Sequence, residues 1–225
     1  MGPPGIGAEV EGIHAVGAAI DAGRVTRLTV ESSRRSSLTS LIDRARSRGA
    51  DIRFVDDVRD VATTSAPQGV VARCRPLQPV SLEQAAERKA PTTLAVLDHL
   101  EDPRNVGAVA RSALAAGFTG LVMSTRRSAP LTAATFKSAA GALERLDLVM
   151  VSSIADALEA LRRMGAWSVG LDAGGDESLF GLSLFTEPIA VVIGAEGAGL
   201  SRLVADRCDV IASIPIDPKV ESLNA

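Results

Sequence analysis

Short apolar runs rich in β-branched residues alternate with segments whose apolar positions repeat every three or four residues, over most of the 225 positions. The runs predict strands at 27–31, 51–55, 93–98, 120–124, 147–151, 167–172, 189–194 and 210–215. Between them, 12–22, 38–48, 106–116, 154–164 and 201–207 read as helices. Strand and helix in alternation predict an α/β fold with a mostly parallel sheet. The rhythm breaks at 73–91, a polar stretch containing Pro76, Pro79 and Pro91. This predicts a small N-terminal α/β domain over 1–75, a linker over 76–91 and a larger α/β domain over 92–225. A long surface loop inside one domain is the competing arrangement.

Composition narrows the chemistry. The chain is 46% hydrophobic and 23% charged with a net charge of −3, which excludes disorder, collagen and coiled coil. No apolar run approaches the roughly 18 residues needed to span a bilayer, and the opening MGPPGIGAEVEG lacks a signal-peptide pattern. A cytoplasmic protein without membrane contact is expected. Cys74 and Cys208 are far apart and no CxxC occurs, so neither a disulfide framework nor a cysteine zinc site is expected. With only His14 and His99 and no HExxH, a metal-free protein is expected and Ser-His-Asp catalysis is disfavoured.

Five Phe, one Trp and no Tyr leave little material for stacking bases on aromatic rings. The charge is uneven: residues 1–89 hold 13 Lys and Arg against 11 Asp and Glu, whereas 90–225 hold 11 against 16. The densest basic stretch comprises Arg24, Arg27, Arg34, Arg35, Arg44, Arg46, Arg48 and Arg53, and Arg126 with Arg127 forms a second group. Either group suits phosphate contact, and a solvated face balanced by Asp43 and Asp51 explains the first equally well.

Three punctuated segments follow predicted strands in the C-terminal half, where open α/β sheets usually bind ligands. In 97–117 (LDHLEDPRNVGAVARSALAAG), Asn105 is placed to cap a helix whose second turn carries Arg111. In 189–203 (IAVVIGAEGAGLSRL), Gly194, Gly197 and Gly199 permit close backbone approach, but no GK[ST] follows and GxGxxG is not matched. Glu196 would repel a phosphate, so a ligand with a cationic or donor group fits better there. In 210–225 (VIASIPIDPKVESLNA), a strand leads through Asp217-Pro218 to Ser222, Leu223 and Asn224.

These three segments, in this order, resemble the three motifs of the SpoU branch of the SPOUT RNA methyltransferases: DPRNVGAVARSALAAGF, VVIGAEGAGLS and SIPIDPKVESLNA. KSAAGALERL (137–146) also resembles a segment of that family. EGIHAVGAAIDAG and PQGVVAR resemble the small substrate-binding domain of large-subunit rRNA guanosine 2′-O-methyltransferases, with Pro67 where the family usually has histidine. The resemblance implies an S-adenosyl-L-methionine-dependent RNA ribose 2′-O-methyltransferase that releases S-adenosyl-L-homocysteine. Ribosomal RNA is the favoured substrate. Transfer RNA, a catalytically idle RNA-binding or assembly protein and a nucleotide-dependent α/β enzyme are the alternatives.

The implied fold is a homodimeric SPOUT domain with a deep trefoil knot, preceded by an α/β domain of the ribosomal protein L30e/L7Ae type. Family members continue past SLN into a further helix, so a chain ending at Ala225 would lack the helix that completes the knot. Carried onto this sequence, the catalytic set is Asn105, Arg111, Glu196, Ser222 and Asn224. Backbone groups at Gly194, Ile214 and Leu223 are the implied cofactor-binding positions.

Overall fold

The computed structural model describes residues 5–87 and 91–217. They form two compact units, one comprising the described residues up to 78 with 130–145 and the other those from 79 to 129 and from 146 onward.

In the first unit, β1 (Glu9–Glu11), β2 (Val25–Glu31), β3 (Asp51–Val55) and β4 (Val70–Cys74) form a sheet in the order β1-β4-β2-β3. Its pairings are antiparallel except β2 with β3. Helices α1 (Ile13–Asp21) and α2 (Thr39–Ser47) present Val16, Ile20, Leu41 and Ile42 to the interior. The second unit begins with α3 (Leu82–Glu87) and β5 (Thr93–Leu97), then α4 (Pro103–Ala115) and β6 (Gly120–Ser124). Helix α5 (Ala133–Ala139) belongs to the first unit, after which β7 (Asp147–Val151), α6 (Ile154–Arg163) and β8 (Trp167–Leu171) follow. The two-residue β9 (Glu177–Ser178), then β10 (Ile189–Ile193), α7 (Arg202–Ala205) and β11 (Val210–Ser213) end the described chain.

The second sheet is parallel throughout, ordered β7-β6-β5-β10-β8-β11-β9. Its central strands read as unbroken apolar runs because both faces are covered. In β10, Ala190 and Val192 pack with Leu94, Val96, Leu158 and Leu161, whereas Ile189 and Val191 face Phe118, Leu179 and Leu184. This is the period-two alternation of a pleated strand.

Two expectations about the chain's division require correction. The stretch 76–91 is not a free linker: Val80 pairs with Val149, and α3 buries Leu82 and Ala85 in the second unit's core. Residues 130–145, expected in the C-terminal domain, fold onto the first unit. There Phe136 lies where a Cβ on Gly7 would be 2.4 Å from its ring, and Ala18 lies 2.5 Å from the Cβ position of Gly141. Arg24 anchors the segment by donating from Nε (2.7 Å) and Nη2 to the Glu144 carboxylate. Those partners are 120 residues apart in sequence, so no local pattern signals the pairing.

Burial pushes the Cys74 and Cys208 thiols up to about 12. Both therefore stay protonated in the native protein near neutral pH, and alkylation at pH 8 should be slow until urea unfolds the chain. As pH rises from about 8.5 towards 12, thiols in the unfolded chain ionise while the native ones do not, so stability falls across that window. Urea titrations at stepped pH, compared with Cys-to-Ala variants, check the sign.

Candidate active site

Strands β5, β10 and β8 run in level register, with Leu97 beside Ile193 and Ile193 beside Leu171, so the segments that follow them emerge together. The chain passes outward from β5 through β6 to β7 and then resumes beyond β10, which makes the β5/β10 boundary the switch point of the sheet.

At that boundary Asn105 Nδ2 donates to Glu196 Oε1. Asn105 is buried, and Glu196 lies on the exposed tip of its loop. The bond ties the first turn of α4 to the loop after β10. Asn105 is not the N-cap expected from the sequence. Asp102 caps α4, its Oδ1 accepting from the Arg104 N–H at 2.7 Å, and Pro103 occupies the first turn. With the cap moved three residues upstream, Asn105 becomes an inward-facing helical residue. Arg111 lies on the exposed face of α4, about 9 Å along the axis at 1.5 Å per residue. Among the described residues it makes no ion pair and does not join the Asn105–Glu196 pair.

The loop carrying Glu196 closes on itself through Ala195 N–H to Gly199 O (3.0 Å) and Gly199 N–H to Ala195 O (2.9 Å). A Cβ on Gly194 would sit 2.2 Å from the Gly199 carbonyl carbon, so only glycine fits at that crossing. Gly194→Ala must displace the 199–200 backbone. The chain should still fold, and if the loop holds the cofactor that the motif resemblance implies, affinity for S-adenosylmethionine, read by calorimetry, should drop roughly tenfold or more.

Two carboxylates escaped the sequence reading. Asp98 is buried at the end of β5, where Oδ2 accepts the Ser201 N–H at 2.7 Å and Oδ1 lies 2.9 Å from His99 Nδ1. Asp172, following β8, accepts the Gly174 N–H at 2.9 Å, and its other oxygen is 2.9 Å from the Cβ position of Gly199. The usable signal was the same for both: an acidic residue directly after an apolar strand. Ile214 is half-buried just past β11. Ser222, Leu223 and Asn224 lie outside the described residues.

The basic stretch of the first unit is largely engaged. Arg24 is 8% exposed and bound to Glu144, which removes it as a phosphate contact. Arg27 and Arg53 share Asp51, and Arg27 holds that carboxyl below its usual range. Arg44 pairs with Asp21 and Arg46 with Asp43. Arg34, Arg35 and Arg48 have no carboxylate partner among the described residues, and Arg35 lies over the Phe54 ring at 4.8 Å. Among the described residues no helix is long and apolar enough to cross a membrane, and no cluster of metal-ligating side chains occurs.

The SpoU rRNA Methylase family model matches residues 92–225, and a model for RNA 2′-O ribose methyltransferase substrate binding matches 10–80. The chain belongs to the SpoU rRNA methylase family. It is 33% identical over 225 residues to the 23S rRNA (guanosine-2′-O-)-methyltransferase RlmB of Coxiella burnetii, covering 96% of this chain and 89% of that protein. An uncharacterized tRNA/rRNA methyltransferase of Mycobacterium avium is 38% identical over 193 residues, and the match spans 84% of this chain and 62% of that relative. The SpoU methyltransferase AviRb of Streptomyces viridochromogenes, solved in complex with AdoMet, superposes with a TM-score of 0.78 at 27% identity. That superposition covers 96% of this chain and 84% of AviRb. The SpoU family and its α/β fold were thus legible in the motifs.

Proposed function

We propose that the chain is an S-adenosylmethionine-dependent RNA ribose 2′-O-methyltransferase whose substrate is a guanosine of 23S ribosomal RNA. The observation that carries this reading is the Asn105–Glu196 bond, which joins the family's first and second motifs at the sheet's switch point. The likeness to the Coxiella enzyme supports the ribosomal substrate.

The residues fit such a cofactor. Gly194 and Ile214 follow strands that flank β8, and the Asp172 and Glu196 carboxylates suit a sulfonium better than a polyphosphate. When bound, the cofactor supplies an electrophilic methyl group, with the sulfur as leaving atom. The chain's own groups must then position the ribose hydroxyl in line and stabilise the oxygen as its proton departs. Asn105 and Glu196 orient the ribose or Arg111. Arg111 clamps a phosphate or the nascent alkoxide, because a guanidinium is too basic to serve as a proton acceptor at neutral pH. Ser222 and Asn224 complete the proposed catalytic set, and Leu223 is a proposed cofactor-binding position. A homodimer, the trefoil knot and an L30e-type first unit belong to the same reading.

Mapping 2′-O-methylation across ribosomal and transfer RNA in strains with and without the gene tests the substrate. Loss of one 23S guanosine mark is the expected result, whereas loss of a transfer RNA mark would reassign the substrate.

A further inference from the structure

A pocket of about 290 Å³ opens at the C-terminal ends of β5, β6 and β7, and Asn105, Arg111, Gly194 and Glu196 do not line it. That volume is near the lower end for small-ligand sites. Its wall includes Arg126 and Arg127, which follow β6, and the start of α6 from Ser153 to Ala155.

Two arginines line the pocket side by side in sequence. Several surface arginines lean on a carboxylate, among them Arg27, Arg44, Arg46, Arg59, Arg162 and Arg207. Arg126 and Arg127 are adjacent and exposed, and their side chains pair with no carboxylate among the described residues. Two like charges facing one cavity repel each other, and an anion bound there would relieve that repulsion. They sit on a turn in which the Arg126 N–H donates to Ser124 Oγ at 3.1 Å and Arg127 is left-handed at φ 53°.

Asp98 lines the pocket and Asp156 lies close to its rim in sequence. Asp98 is already committed to the Ser201 N–H and to His99. Asp156 sits in the first turn of α6, where its N–H donates to the Ser153 cap. The first free N–H groups of that ten-residue helix, at Ile154 and Ala155, add donors to the same wall.

We propose that this pocket binds a backbone phosphate of the RNA substrate, giving the catalytic unit its own electrostatic hold on RNA. The inference deepens the RNA methyltransferase reading and rests on it for the identity of the polyanion. Arginine suits the task because its planar fork can grip two phosphate oxygens together.

The test uses the full chain with Arg126 and Arg127 both changed to Ala, and separately both changed to Lys. Binding of an unmodified 23S rRNA transcript is followed across a salt series, with calorimetry of S-adenosylmethionine as a control. The alanine pair should bind RNA about 10- to 100-fold more weakly, with the slope of log K against log salt shallower by about one to two. The lysine pair should recover part of both, and cofactor affinity should not change. Unchanged RNA affinity and salt slope in the alanine pair would overturn the proposal. So would arginine-dependent binding of inorganic phosphate or guanosine monophosphate without any RNA effect, which would assign the pocket to a free anion. Wild-type protein that binds RNA through these arginines but transfers no methyl group would sink the proposed activity and leave the pocket assignment standing.

Discussion

Arg111→Ala should reduce methyl transfer by about 10²- to 10³-fold, the usual cost of removing one preorganised group that stabilises developing negative charge. Affinity for S-adenosylmethionine should stay within error, because Arg111 projects from the exposed face of α4 and makes no ion pair among the described residues. The helix should be intact in the variant, since Val106, Val109, Ala110 and Ala113 bury its other face. Single-turnover transfer from labelled cofactor, paired with calorimetric titration, separates the two quantities. Equal loss of transfer and cofactor binding would show that Arg111 supports the cofactor cradle and would overturn the clamp. Arg111→Lys keeps the charge but loses the fork, so only part of the rate should return.

Glu144→Ala should destabilise the first unit by about 3–5 kcal/mol. The Glu144 side chain is 2% exposed and that of Arg24 10% exposed, so removing the carboxylate leaves a buried cation whose remaining hydrogen-bond acceptors among the described residues are the carbonyls of Gly7 and Arg75. Those carbonyls cannot neutralise the charge. Phe136, with Arg24 5.8 Å from its ring centre, would lose part of its packing as the guanidinium seeks water. Urea unfolding of the full chain should show the first unit's transition moving to lower denaturant while the second unit's is unchanged. Arg46→Ala, which breaks an exposed pair with Asp43, serves as the control and should leave both transitions in place. A Glu144→Ala midpoint equal to wild type would show that the pair contributes nothing to the docking of residues 130–145.

The second unit's sheet was legible because its strands are buried on both faces, so the apolar runs at 93–98, 120–124, 147–151 and 189–194 stand out without any partner being known. Predicted and observed ends there differ by at most one residue. Strand β1, with three residues, is too short for periodicity to register, and α3 lies in a proline-punctuated segment whose helix depends on burying Leu82 and Ala85. The position of 130–145 was invisible for a different reason. Chain continuity assigned it to its sequence neighbours, whereas Gly7, Ala18 and Arg24 decide where it packs.

The candidate site shows the same division. Motif spacing pointed to both Asn105 and Glu196, and the structure joins them. The cap was misread because DPRN offers two capping side chains, although a proline just after Asp102 is the stronger sign of a helix start. For the basic stretch the sequence left phosphate contact and a balanced face both open; the pairs with Asp43 and Asp51 favour the balanced face, and only the Arg24–Glu144 pairing, 120 residues apart, gave no signal.

The most direct measurement incubates the full chain with S-adenosylmethionine carrying a labelled methyl group and an unmodified 23S rRNA transcript. The RNA is then digested to nucleosides and analysed by mass spectrometry. The account predicts label in 2′-O-methylguanosine, lost in the Arg111→Ala variant. Label on a base, or none in any RNA despite tight cofactor binding, would contradict it.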